Sequence, residues 1–355
     1  MRFVFFTAAA LSLVGAPAFA DITDFDVAPD ATWKHKKTSV QFPPKLDGFS
    51  REWAGDFGTG QTDILATYQD RASGTTATLY VFRAGLVDVP VWQDRVLMAM
   101  KESKNIGPVL VEQALQTSFT PRQGRGANSG YRFSAPSGHD RFSSTGFAMF
   151  PHDGWLIVVR MSSQTLTAQQ LDQRIDSFVG AVPLRTGKQA YPAAEPIKPC
   201  ANPLSFEGKA EQSKPDLQTL FLLAAFAKAD EKPSDRKSKA PDAEIAQYCR
   251  DSDAGVSYGV YRQDDGKTDS YVMALGDSGT AITVGRFSFL GVLEKPAGDQ
   301  YWPILKDTSS TFIFAPFDRL PSPAEVMQVI QTQNPVSSVT TDAKGETTIT
   351  LPSPS

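Results

Sequence analysis

The sequence predicts an α+β protein of two units, each built on a mostly antiparallel sheet. Three observations lead there. Short runs alternate apolar and polar residues with period two, and turn dipeptides such as Asp153-Gly154 and Asp265-Gly266 follow or separate them. Capping boxes at Thr167/Gln170 and Ser322/Glu325 open segments of helical period. A proline-dense stretch, 186–203, separates the runs into two groups. With 355 residues the chain exceeds one ordinary core, and 41% hydrophobic residues are ample for two.

Residues 1–20 read as a secretory signal. Arg2 precedes an apolar run from Phe3 to Val14, Pro17 breaks it, and Ala18 and Ala20 are the small residues that place cleavage before Asp21. The run is too short for a membrane span, which takes about 20 residues. No cysteine follows it to carry a lipid, so the expected destination is the periplasm, or secretion. The formal charge is −4, and one unit lower without Arg2. Neither nucleic acid nor an anionic membrane surface is suggested by so mild a negative charge.

The first unit, 21–185, begins with a hairpin. Val40 and Phe42 alternate with Ser39 and Gln41, Pro43-Pro44 ends that strand, and Asp47-Gly48 supplies a turn. Phe49, Arg51 and Trp53 then fall on one face of the returning strand. They could present an arginine to an anionic ligand, but stacking of Arg51 between rings in a half-buried strand is the commoner arrangement. Asp63–Asp70 and Thr75–Arg83 read as strands, 91–103 as an amphipathic helix carrying Trp92, Val96, Leu97 and Met100. Gly130–Ala135, Ser144–Phe150 and Trp155–Ser162 are further strands. The helix capped at Thr167 places Leu171, Ile175, Phe178 and Val179 against the sheet.

The linker 186–203 leads to the second unit, 204–351, and a tail, 352–355. Ser213, Pro215 and Asp216 start an expected buried helix over Leu217–Ala227. A charged loop, 230–243, and a short helix near 242–250 carrying Cys249 should follow. Strands are expected at 257–263, 270–277, 280–291 and 310–317, a helix after Ser322, and an edge strand at 346–351.

Trp33-x-His35, Phe42-Pro43, Gly48-Phe49-x-Arg51, Tyr68, Thr78-Leu79-Tyr80-Val81-Phe82 and Gly154-Trp155 with Arg160 together resemble a known pattern. It is similar to the α/β/α sandwich shared by the extrinsic photosystem II protein PsbP and a Ran-binding nuclear import factor, and closer to exported bacterial proteins of that fold. The resemblance covers about residues 30 to 185. It implies a non-catalytic domain that binds a protein partner, and it assigns no functional residue.

Cys200 and Cys249 are the two cysteines, and an exported chain is expected to join them. Gly276-Asp277-Ser278-Gly279 is like a serine-protease nucleophile loop, yet His35, His139 and His152 all lie far upstream without the usual surroundings. Ser234 and Lys237 fall in the charged loop. Asp251-x-Asp253-x-Gly255 is half a calcium loop without its closing ligand. No phosphate-binding, dinucleotide or zinc signature occurs, so no cofactor or metal is expected. The sequence therefore favours a binding protein docking on another envelope protein, with Arg51, Trp53, Trp155 and Arg160 as candidate anchors. A hydrolase or other enzyme with a site in the groove between the units, built from dispersed polar residues, and a small-ligand binder using a pocket on the first sheet are the alternatives.

Overall fold

The computed structural model describes residues 23–58, 60–104, 106–214, 247–286, 300–341 and 346–350. The segment 1–20 expected as a secretory signal, the expected helix over 217–227 and the expected loop 230–243 with Ser234 and Lys237 lie outside them.

The chain opens with β1 (Thr23–Asp24), the small pair β2 (Trp33–Lys34) and β3 (Gln41–Phe42), and the hairpin of β4 (Lys45–Leu46) and β5 (Phe49–Asp56). Asp47 and Gly48 both have positive φ, 49° and 83°, as a two-residue primed turn demands. β6 (Asp63–Asp70) and β7 (Thr75–Phe82) complete a meander. The chain then crosses one face of the sheet as α1 (Val89–Glu102). It enters the far edge as β8 (Leu115–Phe119) and returns through β9 (Gly130–Pro136), β10 (Ser144–His152) and β11 (Trp155–Ser163). The sheet order is β1-β5-β6-β7-β11-β10-β9-β8, antiparallel throughout, with β4 also on β5. α2 (Ala168–Ala181) follows on the opposite face, opened by the Thr167/Gln170 capping box. The N-terminal unit is therefore an α/β/α sandwich. β10 is buried at every position because both of its faces are covered.

One sequence expectation fails within β5. A bulge between Arg51 and Trp53 shifts the register, so Arg51 lies opposite Tyr68 and Trp53 opposite Thr67. Phe49 and Arg51 therefore stay on the α2 side, where Phe49 meets Phe178, while Trp53 turns to the α1 side.

The second sheet is a plain meander: β12 (Tyr248–Asp253), β13 (Tyr258–Gln263), β14 (Tyr271–Leu275), β15 (Thr280–Arg286), β16 (Tyr301–Lys306), β17 (Ser310–Ile313), β18 (Ser337–Thr341) and β19 (Thr347–Thr350), each paired with the next. α3 (Pro323–Thr332), opened by the Ser322/Glu325 box, covers one face with Val326 against Val260, Met273 and Ile282. Cys249 sits in a strand, not a helix, because its neighbours pair with Tyr261 and Gln263 in β13. The Cys200–Cys249 bridge itself is formed, with Cα atoms 4.9 Å apart. The strand expected over 280–291 is described as far as Arg286. β16 escapes a sequence reading because Pro303 interrupts its pattern.

The other face of the second sheet packs on α1. Tyr261, Val272, Ala274 and Ala281 share one buried cluster with Trp92, Val96, Met100 and Phe82. α1 is thus a layer common to both sheets. Polar ties reinforce it: Arg95, 1% exposed, donates to the carbonyls of Gly276 (3.1 Å) and Gly255 (2.8 Å). Asp94 accepts from Tyr261 Oη (2.7 Å) and Arg250 (3.0 Å). The proline-dense stretch is laid down as extended chain, with Gly187, Tyr191 and Ala194 bonded to residues 123–128 and Cys200 to Arg250.

Candidate functional site

The face of the first sheet that carries α1 is only partly covered by it. Period-two alternation puts Asp63 and Leu65 of β6, Tyr80 and Phe82 of β7, and Val158 and Arg160 of β11 on that face. α1 adds Trp92 and Val96, the β14–β15 turn adds Asp277 and Ser278, and Phe57 closes the β5–β6 side. Together they line a groove of about 220 Å³. Asp63 pairs with Phe82 across the ladder, and Phe82 with Leu156. Arg160 is four residues beyond Leu156, so the acid and the arginine stand about 13 Å apart along the strand direction.

The two ends differ in charge. At the Arg160 end the guanidinium bonds Asp277 Oδ2 at 2.7 Å and lies 5.4 Å over the Tyr80 ring, while its Nε is buried without a partner. At the other end Asp63 makes no ion pair and accepts no hydrogen bond through its carboxylate among the described residues. Burial, and then the like charge of Asp56, push its pKa up to about 7. Asp56 is buried too but accepts from the amides of Gly58 and Gln61, both at 2.9 Å. Phe57 is 40% exposed at the lip, and the Trp92 ring is fixed by its Nε1 donating to Leu86 O at 2.6 Å.

His35 holds the loop that leads to Asp63. It is fully buried, with Nδ1 2.7 Å from Thr38 Oγ1 and Nε2 donating to Gln61 O at 3.0 Å. Burial lowers its pKa to about 4. The unfolded imidazole titrates near 6.5, so the unfolded state takes up protons first on acidification. His35 stability is complete above about pH 6.5 and is lost as pH falls towards 4, amounting to about 3 kcal/mol over that window. Urea titrations at pH 7 and pH 4.5 should show this loss. The His35→Gln variant should show a smaller one, and an equal loss in the variant would refute the assignment.

Asp63 has the opposite linkage. Its folded pKa lies above the unfolded value, so its contribution to stability is present at low pH and lost as pH rises through about 7. Asp63→Asn should therefore stabilise the protein at pH 8 by about 2 kcal/mol, after discounting for solvent screening, and leave it unchanged at pH 4. Denaturant midpoints at the two pH values measure this; a destabilised variant at pH 8 would contradict it.

The four sequence-derived anchors are dispersed. Arg51 donates to the carbonyls of Phe42, Ala28 (3.1 Å) and Ala31 (2.9 Å), which ties the N-terminal segment to the sheet. Trp155 is a core residue against His35 on the α2 face and offers no surface anchor. Trp53 donates to Asp24 at 2.9 Å and meets Phe57 edge-on at 6.3 Å, so it buttresses the groove's lip. Arg160 lines the groove itself. Sequence reasoning passed over Asp63, Phe57, Tyr80 and Trp92, because each reads as an ordinary strand or helix residue until the two sheets are placed around α1.

Ser278 lies at the groove's edge, but its hydroxyl contacts Leu275 O and Thr280 Oγ1, both at 3.3 Å. His35 and His152 are buried elsewhere, and His139 caps the amide of Arg141. Gly276–Gly279 serves as a docking turn, with Gly85 N bonded to Gly279 O at 2.7 Å. In the half calcium loop, Asp251 lies 3.7 Å from Arg262 and Asp253 3.9 Å from Arg250. Among the described residues no three His, Cys, Asp or Glu side chains gather to hold a metal, and no helix is long and apolar enough to cross a membrane. No family model, curated protein or solved structure matches the chain.

Proposed function

We propose that this chain is a periplasmic, non-catalytic binding protein, and that it holds another envelope protein by a side chain inserted into the groove. The observation that carries this reading is the groove's size and lining. At about 220 Å³ it falls below the roughly 300–1,000 Å³ usual for drug-sized ligands, yet it suits one anchoring residue. Its aromatic walls and exposed lip at Phe57 have the composition of a hot-spot pocket. Export rests on the signal segment and is compatible with the Cys200–Cys249 bridge. The resemblance of residues 30 to 185 to PsbP-like domains points the same way.

Photo-crosslinking in the native envelope tests it. A photoreactive phenylalanine analogue at position 57 should give a discrete adduct with one partner, and the same analogue at the remote exposed Leu110 should not. Identical adducts from both positions, or none, would sink the reading. Alanine at His139, which lies outside the groove, should leave complementation of a deletion strain unchanged within about twofold, as expected where no histidine base is at work. Loss of complementation by a folded His139→Ala variant would reverse the non-catalytic assignment. His35 and His152 are unsuitable for that test because both are core residues.

A further inference from the structure

We infer that the groove recognises a cation, namely the ammonium or guanidinium of a lysine or arginine side chain presented by the partner, seated between Asp63 and the rings of Phe57, Phe82 and Trp92. The inference rests on the partner-binding reading above and names the chemistry of its anchor.

The two ends of the groove make the case. Both contain a carboxylate and an aromatic wall. At the far end Asp277 has its cation: Arg160 pairs with it and lies over the Tyr80 ring. At the near end Asp63 stands among Phe57, Phe82 and Trp92, and no cation reaches it among the described residues. The charge that acts on it is the like charge of Asp56. A desolvated carboxylate without a partner costs free energy that a hydrogen-bonded or apolar residue would not. Aromatic faces beside a carboxylate are the environment in which an alkylammonium gains both Coulomb and cation–π attraction. An anionic anchor would meet Asp63, Asp56 and Asp277 with Arg160 already engaged, and a neutral one would do nothing to offset the cost of ionising Asp63 in its partly buried place. The apolar floor formed by Leu65 and Val158 suits the methylene stem of such a side chain.

The test uses the mature full-length protein, amide-resolved NMR and Nα-acetyl-lysine methylamide as probe. Its norleucine analogue has the same length of stem without the ammonium. The lysine probe should shift the amides of Asp63, Leu65, Tyr80 and Phe82 saturably, at least tenfold more tightly than the norleucine probe. Asp63→Asn should weaken lysine binding at least tenfold and leave norleucine unchanged, with the rest of the spectrum preserved. Equal binding of both probes would overturn the cation assignment and leave the partner reading to the position-57 adduct. So would lysine binding untouched by Asp63→Asn, or no groove shift with either probe. n-Butylamine binding more tightly than the lysine amide would overturn the protein source in favour of a free amine.

Discussion

Arg95→Ala is expected to cost about 4 kcal/mol and to break the unfolding of the two sheets into separate transitions. Arg95 leaves the middle of α1 and ends in the second sheet's turns, where it satisfies the carbonyls of Gly276 and Gly255. Those turns close β14–β15 and β12–β13, so one side chain fixes the ends of two hairpins against the first unit. Removing it strands two carbonyls and opens a cavity in a fully packed layer. Each buried acceptor left unsatisfied costs about 1–3 kcal/mol, and the cavity adds to the two of them, which brings the loss to about 4 kcal/mol. Loss of cooperativity follows because α1 is the layer both sheets share; once the turns detach, each sheet can open without the other. Urea unfolding followed by circular dichroism and by tryptophan fluorescence should give coincident curves for the parent and displaced curves for the variant. Arg95→Met keeps the stem and should recover part of the packing but none of the coupling. A loss below about 1 kcal/mol, or coincident curves in Arg95→Ala, would show that apolar packing alone joins the units.

How far the sequence reaches can be judged from α1 and its surroundings. Trp92, Val96 and Met100 at helical spacing disclosed the helix, and the capping boxes at Thr167 and Ser322 disclosed the other two described helices, because these signals are local. Hairpins at Asp47-Gly48 and Asp153-Gly154 were equally legible, since positive φ at both central residues selects those dipeptides. The bulge at Glu52 was not, and it alone moved Trp53 to the opposite face. Nor could Cys249 be placed in a strand from a segment with no clear period. The groove was the least legible feature. Asp63 and Asp70 bound the same strand and, seven residues apart, face opposite sides of the sheet. Asp70 meets Ser73 and its amides near solvent, and its pKa is lowered. Asp63 lines a groove whose opposite end is closed by a turn of the second sheet, more than 200 residues downstream along the sequence. A site built from two sheets on a common helix leaves no contiguous motif to read.

Cys200→Ala with Cys249→Ala should likewise cost about 4 kcal/mol. The bridge closes a sequence separation of 49 residues, and the loop-closure entropy of a chain that long corresponds to about that figure. Its position adds a local consequence. β12 is an edge strand of the second sheet, and its outer side is covered by residues 198–200, through Cys200 N to Arg250 O at 2.9 Å and Arg250 N to Lys198 O at 2.8 Å. Without the covalent tie this short cover has two backbone hydrogen bonds to hold it, and an uncovered edge strand exchanges its amides and pairs with other chains. Alanine is the right replacement because Cys249 is 2% exposed and serine would bury an unpaired hydroxyl. Hydrogen exchange should rise first at Tyr248–Asp253 and last in β10, which is buried at every position. Reduced parent protein should match the double variant in urea midpoint to within about 1 kcal/mol. A double variant as stable as the oxidised parent would mean that the strap and β12 hold each other without the bond, and that stability does not depend on an oxidising compartment.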